Sequence, residues 1–515
     1  MLRLVRCAGN AFAPINRIPP EVFSLIPNYW KDQGMERDLI ALTHVCRDWR
    51  EIFTSRSSLW TYLDCTNTDK TRVYVERSRS FPLKIFLRTS KCISYSNDAL
   101  LAAVPHTNRL GSLTICVFSD TLSDLLNLFP FPAPLLTELK VVLNSRGPGP
   151  GPGPVIPNTL FPGHLSPLRK LSLSSVVTRL PWRNLSHLTV FEFRHVPGAI
   201  DPLFVAGLLD FFESTPLLNR ISLHDSVPTS FNVPTGRLVP LLHLEELIIC
   251  GLPAHSNFIK HLIIPTASFV DLDFNFSTDS TPVPACLANN FNNLHDITTI
   301  YLFLDRSSSY RRMRLIGPNG ELRMSGSWAD EARSSSVAGR QFFWSLREFD
   351  LSKTRRLGVS KFPSSPGKEI ENSPIFQTLL LMKHLRTLTL IEVRDPSFIF
   401  SLNPGKNKSH TVLCPELEEL ILYVTQEDWS YLRELMEMAS ERAKNHVKLS
   451  SITFVSLDEI CPKEEVFRLR RCVSHVEYKL DDKPPSWSGI KDAEEWDELR
   501  PSVRDESDDG SESDW

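Results

Sequence analysis

The sequence predicts an α/β chain in three parts: a short all-helical segment over residues 15–60, a solenoid of strand–helix repeats over 106–482, and a disordered acidic tail over 483–515. Three observations predict it. Apolar residues recur at helical spacing near the start. A short apolar pattern then returns thirteen times. Charge, finally, is segregated at the end of the chain.

Residues 1–14 are mildly basic and lack the apolar run of a signal peptide, so they read as a flexible N-terminus. Pro19 and Pro20 suit a first helical turn, and Glu21 stands at the positive end of the helix dipole. Val22, Leu25 and Ile26 form an apolar stripe. After a polar spacer, Leu39, Leu42, Val45, Cys46, Trp49, Ile52 and Phe53 repeat at helical period, and the charged residues lie largely off that stripe. A further turn closes on Leu59 and Trp60. Residues 61–105 read as a linker and the first cap of the solenoid.

From residue 110 onward the pattern is apolar, two residues, apolar, one residue, apolar. It runs from Leu110/Leu113/Ile115 to Val473/Val476/Tyr478, and one of its members is Leu346/Phe349/Leu351. Successive middle residues lie 20 to 32 apart, with two longer steps of 49 and 39. Helical patterns over 120–129, 203–215, 373–384 and 426–444 fall between triplets. Each strand's last two apolar residues point to one side, at period 2, and no single unit can bury its own apolar face, so the units must stack. Insertions break the pattern near 145–158, where Gly and Pro alternate, and near 306–340, which is rich in Ser, Arg and Gly and reads as a mobile excursion.

Composition excludes several classes. Of the 515 residues, 42% are hydrophobic and 23% charged, and no apolar run reaches the roughly 18 residues of a membrane span. The net charge of -3 argues against a general nucleic-acid binder. Residues 491–515 carry 11 acidic and three basic side chains, a net of -8, which leaves +5 for the rest. Ten scattered cysteines without a Cys-x-x-Cys pair suit a reducing compartment, cytoplasmic or nuclear. Phosphate-loop, dinucleotide, nucleophile-elbow and zinc-protease motifs are missing, and no His stands at metal-ligand spacing from another ligand. The chain therefore reads as no enzyme, with no cofactor and no metal. The basic clusters at 311–314, 353–356 and 468–471 read as solvated edges or as a site for an acidic substrate or for the tail itself.

Residues 15–60 resemble an F-box. The resemblance rests on Ile18-Pro19-Pro20-Glu21-Val22-Phe23 with Ile26, on Val45-Cys46-Arg47-Asp48-Trp49, and on Leu59-Trp60, in that order. The triplets resemble leucine-rich repeats, in the degenerate form common in fungal F-box proteins. The Asn or Cys three residues past the last strand apolar is mostly missing; only Asn144 fills it. The resemblance implies a substrate-recognition subunit of a Skp–cullin–F-box ubiquitin ligase, or else an adaptor-binding scaffold or plain leucine-rich-repeat interaction protein outside such a ligase. It implies as partners a Skp-family adaptor, a cullin through it, and a protein substrate. It gives as adaptor contacts Ile18, Pro19, Glu21, Val22, Ile26, Leu42, Val45, Cys46, Trp49 and Trp60. Some of these must instead form the small internal core, and Val45 and Trp49 share one helical face that suits either role. The plainer reading of 15–60 is a helical cap on the first repeat. Substrate contacts are expected between the triplet positions, where side chains point away from the core: Thr114, Lys140, Ser172, Glu192, Ser222, Asp350 and Thr389.

Overall fold

The structure is a computed structural model. It describes residues 15, 18–23, 38–89, 94–143, 155–156, 160–161, 167–178, 185–194, 203–227, 236–253, 258–276 without 267, 296–304, 310–328 without 319, 346–360 without 348, 373–391, 397–406, 412–424, 432–456 and 467–480. It is a mixed α/β chain dominated by parallel strands, in two compact units, residues 1–270 and 271–515.

The first unit opens with short helices α1 (Pro20–Phe23), α2 (Asp38–Thr43) and α3 (Arg47–Ser55), followed by a 3₁₀ turn over Ser57–Trp60. Cys46 caps α3: its Sγ accepts from the Trp49 amide at 3.5 Å. Strands and helices then alternate. They are β1 (Tyr62–Leu63), α4 (Thr68–Arg77), β2 (Leu83–Arg88), α5 (Asn97–Ala103), β3 (Leu110–Val117), α6 (Ser119–Asn127), β4 (Glu138–Leu143) and the short β5 (Val155–Ile156). After these come β6 (Lys170–Ser174), β7 (Val177–Thr178), β8 (Val190–Arg194), α7 (Leu203–Ser214), β9 (Arg220–His224), β10 (Val239–Pro240), β11 (Glu246–Pro253) and β12 (Leu262–Ile263). Polar side chains cap α4 and α5: Asn67 Oδ1 accepts from the Lys70 amide at 2.9 Å, and Ser96 Oγ from that of Ala99 at 3.5 Å.

One parallel ladder runs β1–β2–β3–β4–β6–β8–β9–β11. Its register aligns the middle triplet residues: Leu63, Ile85, Leu113, Leu139, Leu171, Phe191, Ile221 and Leu247 are Cα partners from strand to strand. All are buried. Helices cover this apolar side; in α7, Phe211 lies 4.8 Å from the Phe191 ring, centroid to centroid. The turns before the strands are tied by one repeated device, a backbone carbonyl that accepts two successive amides of the next turn. Thr137 O accepts from Arg169 N at 2.8 Å and Lys170 N at 3.0 Å, and Arg169, Thr189 and Asn219 repeat it. Backbone and hydroxyl donors thus hold turns in a chain poor in asparagine at those places; Ser226 Oγ, for one, donates to Phe193 O at 3.2 Å.

Two strands stand where the sequence suggests only a linker and cap. Over 61–105, β1 and β2 already belong to the ladder. Trp60/Leu63/Cys65 is a further triplet, all three buried, and Trp60 fills its first position.

The second unit begins within β13 (Phe269–Phe276), at Asp271. It contains β14 (Thr299–Leu304), β15 (Tyr310–Ile316), β16 (Glu321–Trp328), β17 (Arg356–Ser360), α8 (Pro374–Leu379) and β18 (Thr387–Ile391). Beyond these lie α9 (Ser397–Leu402), β19 (Glu419–Val424), α10 (Leu432–Lys444), β20 (Ser451–Ser456) and β21 (His475–Leu480). Its parallel ladder is β14–β17–β18–β19–β20–β21, again with the middle apolar residues in register.

Much of the expected excursion over 306–340 is an antiparallel hairpin, β15–β16, paired to β14. β13 pairs with β16. Two inserted strands restore the original chain direction, so an even number can join a parallel ladder without reversing it. The hairpin's polar side holds charges close together: Arg314 Nε and Nη2 donate to the two Glu321 oxygens at 2.6 and 2.9 Å, and Ser325 Oγ donates to Asp273 at 2.8 Å. Burial pushes the neighbouring Asp271 carboxyl up to about 7, with Asp273 and Glu321 adding to the rise and Arg323 and Arg312 opposing it.

The triplet expected at Leu346/Phe349/Leu351 is shifted. Those residues are buried, but they lie ahead of β17, whose inward residues are Leu357 and Val359. Thr354 holds the first position, fully buried, with its hydroxyl donating to Ile297 O at 3.3 Å. A threonine satisfied this way is invisible to an apolar template.

α10 buries Arg442 completely; its Nη1 and Nη2 donate to the carbonyls of Leu413 and Cys414 at 2.8 and 2.9 Å, in the turn that leads into β19. Arg442→Ala takes the guanidinium donor from the buried Leu413 carbonyl, removes one of the two donors to Cys414 O, which keeps the Leu417 amide at 3.0 Å, and opens a cavity, so denaturant unfolding should show a loss of about 3 kcal/mol. Arg442→Lys should recover less than half of it, because an ammonium lacks the fork that spans both carbonyls.

Candidate functional site

Two places in the first unit gather the residues of interest. At the start, Pro19 and Glu21 are exposed and Ile18 half-buried. Val22 on α1 is 52% exposed and Val45, between α2 and α3, is 55% exposed. Cys46 and Trp49 are half-buried, with the Trp49 ring edge-on to Phe53 at 6.1 Å. Ile26 lies outside the described residues.

Leu42 and Trp60 are corrections to the expected contact set: both are buried within the chain. Trp60, 0% exposed, donates Nε1–H to Phe53 O at 2.9 Å, meets Tyr74 edge-on at 4.9 Å and has the Arg77 guanidinium 4.4 Å from its ring. It ties α3 to the first α/β element, and no partner can reach it in this conformation.

The second place is the side of the ladder opposite the apolar rows. Five of the expected residues form one cross-strand row, Thr114, Lys140, Ser172, Glu192 and Ser222, each the Cα partner of the next. Adjacent strands are about 4.8 Å apart, so the row is a continuous strip. Ser172 and Ser222 are buried within it, a correction to the expected substrate contacts, while Thr114, Lys140 and Glu192 are half-exposed. Thr389 holds the equivalent place in the second unit, between Gly358 and Ile421. Asp350 does not: it is exposed in a turn ahead of β17, and its Oδ1 accepts from the Ser352 amide at 3.0 Å. Hydrogen bonds from Ser352 hold its carboxyl below the usual range. The cause is the same shifted triplet.

Two flanking rows complete the strip, and period 2 along the strands would have found them. On one side stand Ser112, Glu138, Lys170, Val190, Arg220 and Glu246. Lys170 bridges Glu138 at 3.6 Å and Glu192 at 4.0 Å, and Arg220 pairs with Glu246 at 3.0 Å. On the other side stand Cys116, Val142, Ser174, Arg194, His224 and Cys250. Burial pushes the Cys116 thiol up, against the pull of Lys140 and Arg88.

The Ser222 hydroxyl and His224 Nε2 are 2.9 Å apart. Burial, reinforced by Arg194 and opposed by Glu192, lowers the His224 imidazole to about 4. An imidazole that gives up its proton so readily is a weak general base near neutral pH. The strip therefore offers graded polar and charged contacts along an extended surface rather than an assembled nucleophile. Among the described residues, no group of three or more His, Cys, Asp or Glu could hold a metal ion, and no helix is long and apolar enough to cross a membrane.

In the unfolded chain a histidine titrates near 6.5, so between about pH 6.5 and 4 the unfolded state binds a proton at His224 that the folded state refuses. Stability should fall as pH drops through that window, by up to roughly 3 kcal/mol from this residue. Urea unfolding of wild type and His224→Gln at pH 7 and pH 4.5 should show the smaller drop in the variant, and equal drops would refute the assignment.

The chain matches no protein-family model and no curated protein.

Proposed function

We propose that residues 15–60 form an F-box that docks on a Skp-family adaptor, that the strand ladders are degenerate leucine-rich repeats, and that the chain is the substrate-recognition subunit of a Skp–cullin–F-box ubiquitin ligase. The observation that carries this reading is the division of the apolar residues near the start. Pro19, Val22 and Val45 face solvent, whereas Leu42, Phe53, Leu59 and Trp60 are buried. About half of each valine remains open to water, and contact with a partner would remove that apolar area from water at about 25 cal/mol per Å². A helical cap needs the buried set but not the exposed one.

On this reading the adaptor contacts are Ile18, Pro19, Glu21, Val22, Val45 and the half-buried Cys46 and Trp49. The chain supplies no catalytic group. It raises the effective concentration of a bound protein substrate beside the ubiquitin-carrying enzyme. The strip centred on Lys140 and Glu192 would receive that substrate.

The test is capture of purified adaptor by the intact chain and by a Pro19→Ala, Val22→Ala, Val45→Ala variant. Losing three interface contacts at ~1 kcal/mol each should weaken capture at least about 100-fold. With purified cullin added, it should accompany the adaptor on wild type alone. Equal capture by both chains would overturn the assignment of 15–60.

A further inference from the structure

The parallel strands of the second unit all start along one edge, and that edge is unevenly charged. Arg355 and Arg386 stand on it side by side, since Arg355 O accepts from Arg386 N at 2.8 Å and from Thr387 N at 3.0 Å. Arg356 is the first residue of β17, and Lys383 lies in the turn ahead of β18. All four are exposed.

Most of the acidic groups nearby are already engaged, while Glu418 stands exposed on the same edge beside Arg386, whose carbonyl accepts from the Glu418 amide at 2.9 Å. Asp296 pairs with Lys353, Asp350 accepts from the Ser352 amide, and Glu416 takes His384 at 2.7 Å and Arg386 at 3.8 Å. Among the described residues, Arg355, Arg356 and Lys383 have no acidic partner. Four cations thus share one short stretch of edge with part of Glu416 and the neighbouring Glu418 between them, which leaves positive charge in excess.

The chain carries a matching anion. Residues 491–515 hold a net charge of -8. Leu480 ends β21, four ladder steps from β17 and at the opposite ends of the strands. Four steps of about 4.8 Å across and about 17 Å back along the strands make a path of roughly 25 Å. The ten residues 481–490 can span up to about 33 Å, so residues 491–515 can reach.

We infer that the acidic segment 491–515 docks on the basic edge formed by Arg355, Arg356, Lys383 and Arg386 of its own chain. The segment is tethered, so its local concentration is set by the spacer rather than by the protein concentration, and weak exposed ion pairs suffice. Docking there places the segment beside Thr387 and Thr389, so an acidic partner approaching this edge must displace it. The inference stands on the second unit's charges alone, whether or not residues 15–60 bind an adaptor.

Carbodiimide coupling of the full-length chain tests it, because the reagent joins only a lysine and a carboxylate already in contact. Links from Lys383 to carboxylates within 492–514 are read by mass spectrometry and scaled to the Lys353–Asp296 link inside the folded body. The scaled yield should fall at least about tenfold between roughly 20 mM and 500 mM salt, as the screening length shrinks to a few ångströms. In Arg355→Glu/Arg386→Glu it should fall at least about fivefold at low salt. The salt series needs no substitution, so it decides the matter even if that variant misfolds. Mixing heavy- and light-isotope chains completes the test. Links mainly between heavy and light copies, a scaled yield that ignores salt, or an absence of tail links to Lys383 would each overturn the inference.

Discussion

The in-register stacking of parallel strands is the constraint on which the rest depends. Each strand contributes apolar residues at its centre, and the ladder sets every one of them beside its counterpart on the next strand, as with Leu113, Leu139, Leu171 and Phe191. A single strand with its helix leaves one flank of those residues open to water. Only the next unit closes it, so burial and backbone pairing are satisfied together or not at all. The carbonyl that accepts two amides before many of the strands fixes that register, because it ties the turn of one unit to the start of the next.

Register on the apolar side dictates register on the polar side. A side chain between two buried positions must point the other way, and its neighbours across the ladder are then determined. This is how Lys140 comes to lie between Thr114 and Ser172, and how Lys170 finds carboxylates on both sides. The polar strip is a by-product of the core, and its chemistry is free to vary because the strand hydrogen bonds do not depend on it. The hairpin β15–β16 obeys the same logic, keeping Met313, Leu315, Leu322 and Met324 buried and turning Arg314, Arg323 and Glu321 to the polar side.

Legibility tracked apolar periodicity. Twelve of the thirteen triplets lie on or beside the strands assigned to them, and the helix expected over 203–215 stands at Leu203–Ser214. Failures came where a polar residue does an apolar residue's work or where one residue serves two patterns. Thr354 is buried through a hydroxyl bond, which displaced one triplet and with it Asp350. Trp60 closes the helical opening and also begins the first strand unit; read only as the former, it became a partner contact.

The sequence by itself determined the alternation of strand and helix, the apolar side of each strand, and the charge separation between body and tail, because each depends on residues close together in the chain. Tertiary structure alone decided which side chains share a row, which of the opening apolar residues remain in contact with water, and which cations along an edge lack a carboxylate among the described residues. Those depend on strand pairing and on contacts between distant residues, such as Lys353 with Asp296, and no local pattern encodes them.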